Sequence, residues 1–447
     1  MISALRVHGP AGALVSVLFA CACAQNAHAV PELGAAPLAR GASRSAGPVL
    51  RQVPAGAVVA ESAAQLRASL VDPNGPTELW LRGRSYDGDF RVTRPLVLRG
   101  AGGATLNGSG HGTVLSIESD DVTIENLVVR NSGQRHTHED SAIKAKGARI
   151  AIRNVRTENT LFGLTLGPCP YCAVERVEVN GSAGQPKGDG IKLWESNDAV
   201  VRDCDVEDVR DVVVWYSRRV LLERNTVRNS RYGTHFMYAH DSVVRDSHVE
   251  HNVVGIFVMY SSRLQVQHNV LSGARGAAGM GLGFKESDAI EVHGNWLVAN
   301  STGCYLDETP RSENATVHFT GNTLSLNDVG LRLHGVRAGL EFAENDFGSN
   351  IVAVEVEGGG DALSASFRNN HYADYAGYDL DGDGIGDVAF QAKRLSTDLV
   401  QAHPSLALFR GTVGMSLMLT IAEAMPVFAS RLLLSDAAPA ISSGRVR

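Results

Sequence analysis

The sequence predicts an all-β protein built around a right-handed parallel β-helix, a solenoid in which each coil of the chain stacks on the one before it. The first observation behind this prediction is a repeat, because Gly233, Gly255, Gly279 and Gly303 follow one another at intervals of 22, 24 and 24 residues. The second is an alternation of apolar and polar residues, rich in valine and isoleucine, around each glycine. A period in the low twenties combined with strand-type alternation is typical of stacked β-coils.

Each repeat unit contains the elements of one coil. The segment "RRVLLERNTVRNSRYGTHFMYA", from Arg218 to Ala239, has an alternating strand, a polar turn, a short apolar patch, and a glycine followed by another strand. Stacking satisfies the strand edges of such coils, since each coil hydrogen-bonds to its neighbours at a spacing of about 4.8 Å. Leucine-rich repeats have a similar length, but their Leu-x-x-Leu-x-Leu signature is missing from the sequence.

The first residues predict export from the cytoplasm. Arg6 precedes the apolar stretch "AGALVSVLFACACA", and "AHA" at residues 27–29 offers a cleavage site, so residues 1–29 form a predicted signal peptide. Lipid attachment at Cys21 is an alternative fate for this segment. The composition is that of a globular protein, with 44% hydrophobic residues and a net charge of -7. This acidic balance, with no basic run in the sequence, excludes nucleic acid as an expected partner.

The mature chain divides into four regions by composition. The first region includes "AESAAQLRASL", starting at Ala60, which predicts a helix that caps the open end of the solenoid. The last region is apolar, but its longest charge-free run is too short to span a bilayer and favours a docking helix. The predicted regions are an N-terminal segment and cap at 30–76, β-helix repeats at 77–360, an Asp- and Gly-rich loop region at 361–403, and an apolar helical tail at 404–447.

The sequence "CPYC" places Cys169 and Cys172 close together in a chain that has few other cysteines. The cysteines of the mature chain are too few for a disulfide scaffold in a protein of this length. Two interpretations of the pair stay open: a local disulfide that pins a loop, and a redox or metal-binding role.

Alternation in the strand after each repeat glycine predicts which side chains face outward. The stacks expected to point into the core are Thr234, Ile256, Met280 and Cys304, and Phe236, Val258, Leu282 and Leu306. The residues between them are expected to form two outward ladders. One ladder consists of Lys192, Val213, His235, Phe257, Gly281, Tyr305 and Arg332, and the other of Trp194, Trp215, Met237, Met259, Gly283, Asp307 and His334.

This arrangement predicts a copper site. Met237 and Met259 are expected to lie side by side on adjacent coils, with His235 on the same face, in a chain with only seven methionines. Thioether sulfur prefers Cu(I), and imidazole suits either oxidation state of copper. The alternative is that the stripe of methionine and aromatic side chains is a packing surface, covered by the C-terminal tail or by a partner chain.

A second candidate metal site lies in "DLDGDGIGD", where Asp379, Asp381, Asp383 and Asp387 alternate with glycines. This segment resembles the first half of an EF-hand loop, except that Phe390 stands at the twelfth position in place of glutamate. We therefore predict a structural Ca²⁺ site that is completed in a different way. An Asp- and Gly-rich turn without a metal is the alternative.

Several segments together resemble the NosD family, the periplasmic β-helix subunits of the system that matures nitrous oxide reductase. The resemblance covers roughly residues 77–387 and includes the apolar tail after Pro404. The family's usual "WDDY" appears here as residues 372–375 in "HYADY", which is a departure near the predicted Ca²⁺ site. The segments that carry the resemblance are "GDGIKLWES", "YGTHFMYAH", "VGIFVMYSS", "GMGLGFKES", "GCYLDETP" and "HYADYAGYDLDGDGIGD".

The resemblance implies a role without catalysis. A member of this family stands on an inner-membrane ABC transporter, made of a membrane subunit and its ATPase, and the apolar tail docks on the membrane subunit. It accepts copper from a membrane-anchored chaperone and delivers it to the apo form of nitrous oxide reductase. On this basis His235, Met237 and Met259 are expected to hold Cu(I) transiently, while delivery of sulfur instead of copper stays open.

A carbohydrate-active β-helix enzyme is the alternative from a different class. A lyase, hydrolase or epimerase acting on acidic polysaccharide needs carboxylates, or an Arg or Lys base, in a groove along the exposed ladder. The middle of the ladder offers methionine, aromatic residues and histidine instead. Lys192, Asp307 and Arg332 are expected to lie several coils apart, which disfavours concerted chemistry.

Overall fold

The computed structural model describes residues 47–49, 52–181, 184, 186–393, 395–425 and 431–443. In these residues the chain forms a solenoid of three parallel sheets, and a complete coil contributes one strand to each sheet. The predicted parallel β-helix is therefore confirmed. The predicted signal peptide at 1–29 and the alternative lipid site at Cys21 lie outside the described residues.

Each of the three sheets extends along the solenoid, and sheet 2 carries the predicted outward ladders. Sheet 1 has 14 strands among the described residues: Val59–Ala60, Glu78–Leu81, Leu96–Gly100, Val122–Glu125, Ala151–Arg153, Ala173–Glu175, Val200–Arg202, Leu221–Glu223, Val243–Arg245, Gln265–Gln267, Ile290–His293, Val317–Thr320, Leu340–Ala343 and Ser366–Arg368. Sheet 2 has 12 in the same part of the chain: Phe90–Val92, Leu115–Ile117, Ser141–Ala145, Phe162–Leu166, Ile191–Trp194, Asp211–Trp215, Tyr232–Met237, Val254–Met259, Met280–Lys285, Thr302–Asp307, Val329–His334 and Val352–Val356. Sheet 3, described over the same ranges, has 13: Ser85–Asp87, Thr105–Asn107, Val128–Arg130, Arg156–Thr160, Glu178–Gly181, Asp205–Glu207, Thr226–Arg228, His248–Glu250, Val270–Ser272, Trp296–Val298, Thr323–Ser325, Asp346–Phe347 and His371–Tyr372.

The corners of the coils are held by a ladder of buried asparagines. The side-chain amide of Asn295 donates to the carbonyl of Val266 at 2.7 Å, and its side-chain oxygen accepts the backbone N–H of Asn269 at 2.9 Å. These bonds satisfy backbone groups at positions where the chain bends and the sheet pairing is interrupted. The repeated asparagines of the sequence are therefore structural. This ladder consists of Asn269, Asn295, Asn322, Asn345 and Asn370.

Helix α1 (Ala63–Val71) covers the N-terminal end of the solenoid. It begins after Ser62, whose side-chain oxygen accepts the N–H of Gln65 at 3.2 Å and so caps the helix. Its inward face buries Leu66 and Leu70 completely. This is the capping helix that the sequence predicted.

The coils continue beyond the predicted boundary at Gly360. Strand Ser366–Arg368 extends sheet 1 and strand His371–Tyr372 extends sheet 3. Phe367 and Tyr372 are buried in these two strands and continue the core. The alternation is too short there to be recognised from the sequence, because each strand has only two or three residues.

The region predicted as a single tail, 404–447, has two structural parts. Strand Leu432–Asp436 pairs in an antiparallel direction with Phe390–Lys393 and buries Leu433 and Leu434 against the C-terminal end of the solenoid. This strand is a cap, whereas the preceding helices have exposed apolar residues. A docking role therefore stays a prediction only for the helical part.

The helical part consists of α2 (Leu395–Ala402), a 3-10 helix (Pro404–Phe409) and α3 (Val413–Ala424). On α3, Val413, Leu417 and Ile421 are exposed and spaced four residues apart, so they share one face of the helix. Within the described residues, no helix has the length and hydropathy needed to cross a bilayer.

An ion pair joins the helical part to the last coil of sheet 2. The Arg410 Nη2 lies 2.5 Å from Glu355 Oε1, and both side chains are largely buried. Arg332 approaches the other oxygen of Glu355 at 3.1 Å. Because Arg332 belongs to the outward face of sheet 2, the helical segment is tied directly to the face that carries the candidate site.

Candidate metal centre

The strand register places the predicted copper ligands together on the outward face of sheet 2. Met237 pairs with Met259 on the next coil, and His235 pairs with Phe257. Phe236 and Val258, between them, are wholly buried and point into the core. The alternation predicted from the sequence therefore holds for these two coils.

A β-bulge precedes His235 in its strand. Asp211 pairs with Tyr232 and Val213 pairs with His235, so strand Tyr232–Met237 has one residue more than its neighbour at this point. Such an extra residue bends the strand and changes the direction of the side chain that follows. Gly233 lies within this irregularity, where a Cβ would be 2.2 Å from the side chain of Val249.

His235 points towards the next coil, at Met259. Its Nε2 lies 3.4 Å from the Met259 Sδ. The imidazole is only 6% exposed, whereas Met237 and Met259 are both half-buried. The site is therefore more sheltered than the sequence predicted, with the nitrogen donor beneath and the sulfur atoms nearer to solvent.

Aromatic rings surround the imidazole. Tyr232 lies with its ring centroid 4.9 Å from that of His235, and Trp215 meets it edge-on at 6.0 Å. Phe257 stacks on Tyr232 at 5.7 Å. These rings shield the His235 imidazole from water, which strengthens electrostatic interactions at its nitrogens.

A buried lysine lies on the N-terminal side of this aromatic group. The Lys192 ammonium is 5.4 Å from the centroid of the Trp194 ring and 5.2 Å from that of Trp215. It also contacts Glu139 Oε1 at 2.5 Å. Burial favours the protonated form of Glu139, but Lys192 and Lys144 together hold its pKa below the ordinary value. The cation is thus neutralised by a carboxylate instead of facing the candidate site as a free charge.

Two buried carboxylates lie beneath this face, on consecutive coils. Asp211 pairs with Arg231 and lies 3.8 Å from His235 Nδ1, measured to Oδ2. Burial favours the protonated form of Asp211, but the neighbouring His235 and Arg231 outweigh it and lower the pKa. Asp189 pairs with Arg210 in the same way, yet burial raises its pKa.

The outward ladders differ from the prediction on the coil after Met259. Leu282 pairs with Ile256, so Gly283 and Lys285 occupy the outward positions that were assigned to Gly281 and Gly283. Met280 was predicted to fill the core, which is wrong. It is half-buried, and its Sδ would lie 2.8 Å from a Cβ at Gly283, on the outward face beside Phe257.

The corrected register, with an interval of 26 residues from Met259 to Lys285, places Lys285 beside Asp307 in a charged cluster. Lys285 Nζ lies 2.6 Å from Asp307 Oδ2, and His334 Nδ1 lies 2.8 Å from Asp307 Oδ1. Arg332 is on the coil next to Asp307, because Tyr305 pairs with Arg332. The expectation that Asp307 and Arg332 lie several coils apart is wrong, because their coils are adjacent, whereas Lys192 lies five strands of sheet 2 before Asp307.

The acidic loop has its carboxylates close together. Asp379, Asp381 and Asp383 each offer an oxygen within 4.8 Å of the others. Asp379 accepts the N–H groups of Gly382 at 2.7 Å and Gly384 at 2.9 Å, and these bonds lower its pKa. The fourth predicted ligand, Asp387, accepts the N–H of Leu380 at 2.7 Å. Calcium binding at these residues stays a prediction.

The two cysteines of "CPYC" form a disulfide. Cys169 and Cys172 are bonded to each other, with their Cα atoms 5.7 Å apart, and both side chains are buried. Of the interpretations left open by the sequence, the local disulfide describes the structure. The bond lies on the turn that leads into strand Ala173–Glu175 of sheet 1.

Comparison with known proteins places these features in one family. The family model described as "Periplasmic copper-binding protein (NosD)" matches residues 174–377, a range that includes the candidate site and ends before Asp379. The "Probable ABC transporter binding protein NosD" of Pseudomonas aeruginosa is 30% identical over 398 residues, covering 77% of this chain and 84% of the relative. A protein of the same name from Stutzerimonas stutzeri is 25% identical over 412 residues, covering 80% and 86%.

Among solved structures, the fold is similar to the A-module of mannuronan C-5 epimerase AlgE6 from Azotobacter vinelandii. The TM-score is 0.57 at 11% sequence identity, and the match covers 72% of this chain and 97% of the module. At this identity the likeness concerns the fold alone. It supports the parallel β-helix and carries no information on substrate.

Proposed function

The chain belongs to the NosD family, and from this premise we propose that it is a periplasmic accessory protein that binds Cu(I) as cargo and delivers it to apo nitrous oxide reductase. Its partners in this proposal are a copper chaperone, which loads it, and an inner-membrane ABC transporter made of a membrane subunit and a separate ATPase. Its role is delivery without catalysis, which agrees with relatives named as binding proteins.

The observation that carries the proposal is the contact between His235 Nε2 and Met259 Sδ at 3.4 Å, with Met237 in register beside Met259. An imidazole nitrogen and two thioethers are soft donors of the kind that hold Cu(I). The donors come from two adjacent coils, so the strand pairing fixes their separation. Carboxylates, which bind harder cations, are not among the three donors.

The exposure of the donors suits a cargo that must leave again. Half-buried Met237 and Met259 meet an incoming ion first, and the sheltered His235 completes the site from beneath. Thioethers are flexible and bind without losing a proton, so exchange with a partner's soft ligands requires little rearrangement. The apolar face of α3 is the segment that we assign to the membrane subunit of the transporter.

Anaerobic titration with Cu(I), in competition with a chromophoric chelator, tests the site. The chain without its first 29 residues is compared with a Met237→Leu, Met259→Leu double variant, which preserves side-chain volume. We expect submicromolar affinity in the parent and at least a tenfold loss in the variant, about 1.4 kcal/mol or more. Met418→Leu, on exposed α3, is the matched control and is expected to bind as the parent does.

Delivery is tested separately by mixing the copper-loaded chain with copper-free reductase and following the copper content of each after separation. Transfer from the parent and none from the double variant is the expected outcome. Equal Cu(I) affinity in parent and double variant contradicts the proposed site. Depolymerisation or epimerisation of alginate or pectin by the parent would instead support the enzyme alternative.

A further inference from the structure

We propose that Asp211 is a positioning residue of the copper site: its carboxylate accepts the Nδ1–H of His235 and so leaves Nε2 unprotonated and directed at Met259. This inference rests on the proposed function, because it explains how the nitrogen donor is prepared for Cu(I). It adds a residue that no sequence pattern indicated.

The first observation is an imidazole nitrogen without a partner. His235 Nδ1 is buried and has no hydrogen-bond partner among the described residues. Asp211 Oδ2 lies 3.8 Å from it, so a shift of less than 1 Å brings the two atoms within hydrogen-bonding distance. The Asp211 side chain is itself wholly buried, so water does not compete for it.

The second observation is that Asp211 is held in place from its other side. Arg231 Nε donates to Asp211 Oδ1 at 2.9 Å, and Arg231 Nη2 donates to Oδ2. The backbone N–H of Tyr232 also approaches Oδ1, at 3.3 Å. A paired guanidinium keeps the carboxylate ionised and fixes its plane, which leaves Oδ2 as the acceptor that faces the imidazole.

The tautomer of a histidine determines which of its two nitrogens can bind a metal ion. A neutral imidazole carries one N–H, and the nitrogen that lacks it is the one that binds a metal ion. A carboxylate that accepts from Nδ1 fixes the tautomer and the ring orientation of a histidine that binds through Nε2. With Nδ1 protonated towards Asp211, the lone pair of Nε2 points to the Met259 sulfur, where the cargo ion is expected.

Asp189 supplies a matched control within the same protein. It is wholly buried one coil earlier and pairs with Arg210 through both oxygens, at 2.8 Å each. Asp189 and Asp211 therefore share burial and an arginine partner, and they differ in the imidazole and the Tyr232 N–H that approach Asp211. Substituting each by asparagine separates the role at the imidazole from the general cost of disturbing a buried ion pair.

A double-mutant cycle on Cu(I) affinity is the decisive experiment. Asp211→Asn in the parent is expected to weaken Cu(I) binding at least tenfold. The same substitution in a His235→Gln background is expected to change the affinity less than twofold, as is Asp189→Asn in the parent. Equal losses from Asp211→Asn in both backgrounds would indicate a merely structural role and overturn the inference, as would an unchanged affinity in the single variant.

A readout that needs no copper keeps this inference separable from the proposed function. Nitrogen NMR of ring-labelled histidine in the metal-free protein, at mildly alkaline pH, reports which nitrogen of His235 is protonated, with His235→Gln providing the assignment. We expect an Nδ1–H tautomer in the parent and loss of that preference in Asp211→Asn. An Nε2–H tautomer in the parent overturns the positioning role. If the expected tautomer is found but Cu(I) binding is independent of Met259, the proposed function fails and the positioning of His235 stands.

Discussion

Replacing Asp436 with alanine is expected to open the C-terminal end of the solenoid. Asp436 is wholly buried at the end of strand Leu432–Asp436, the cap strand. Its Oδ2 accepts the backbone N–H of Asn370 at 3.1 Å and the side-chain amide of Asn370 at 3.0 Å. Because Asn370 is the last member of the asparagine ladder, Asp436 supplies the acceptor that a further coil would otherwise provide.

The size of the effect follows from the groups left unpaired. Asn370 is wholly buried, so the alanine variant leaves its backbone N–H and one side-chain N–H without an acceptor. Each unpaired donor costs about 1–3 kcal/mol of stability. The hydroxyl of Tyr372 and the N–H of Ala438 also lose their contacts with Asp436, at 3.4 Å and 3.1 Å. Removal of a buried carboxylate regains part of this cost, because the charge no longer has to be desolvated. We expect a net loss of about 2–4 kcal/mol.

Hydrogen exchange at the Asn370 amide is the appropriate assay, because coils of a solenoid can open locally and exchange there reports the opening of the end coil itself. Exchange there should accelerate by about 30-fold to 800-fold, the equivalent of that loss. Asp328→Ala removes an ion pair with Arg275 in which both side chains are about half exposed, and it should change stability by less than about 1 kcal/mol. Unchanged exchange at Asn370, or an equal effect of Asp328→Ala, would refute the reasoning.

Three further outcomes are expected from other parts of the chain. Asp307 raises the pKa of His334 above its ordinary value of 6.5, so their pairing stabilises the fold at low pH. This stabilisation is lost as the pH rises through the raised pKa. In urea titrations, His334→Gln should therefore lower the unfolding free energy by less than about 1 kcal/mol near pH 5.5 and leave it unchanged near pH 9. Gly255→Ala places a Cβ 2.2 Å from the backbone oxygen of Gly281, and calorimetry should register a loss of about 1–3 kcal/mol. Millimolar Ca²⁺ should raise the Tm of the parent by about 2 °C or more and leave that of Asp379→Asn unchanged.

Periodicity was sufficient to predict the solenoid, because every coil repeats the same alternation and the core depends on it. The ends were harder to predict. The cap strand Leu432–Asp436 reads as part of an apolar tail in the sequence, since its partner Phe390–Lys393 lies about 40 residues earlier and pairs with it outside the repeat. A buried aspartate in place of the next asparagine is recognisable as the end of the ladder only once the fold is known.

The candidate site was predictable where the repeat is regular and not where it changes. His235, Met237 and Met259 follow from alternation across two coils of equal length. The next coil is longer, so Gly281 and not Gly279 is equivalent to Gly255, and the intervals are 26 and 22 residues in place of 24 and 24. An error of two residues preserves the inward-outward alternation, so the prediction stayed self-consistent. It placed Gly283 beside Met259, where the structure has Lys285.

Asp211 was beyond sequence reasoning for a different reason. His235 pairs with Val213, and Asp211 lies two residues before Val213, so the two side chains meet diagonally between adjacent coils and not along one ladder. A register irregularity lies between these two strands, and His235 there has Nδ1 facing the carboxylate and Nε2 facing sulfur. In the copper site that we propose, a buried carboxylate positions the nitrogen donor, and the two sulfur donors lie on half-buried, flexible side chains. We therefore propose that an ion arriving through the thioethers meets one fixed ligand, His235, and two flexible ones.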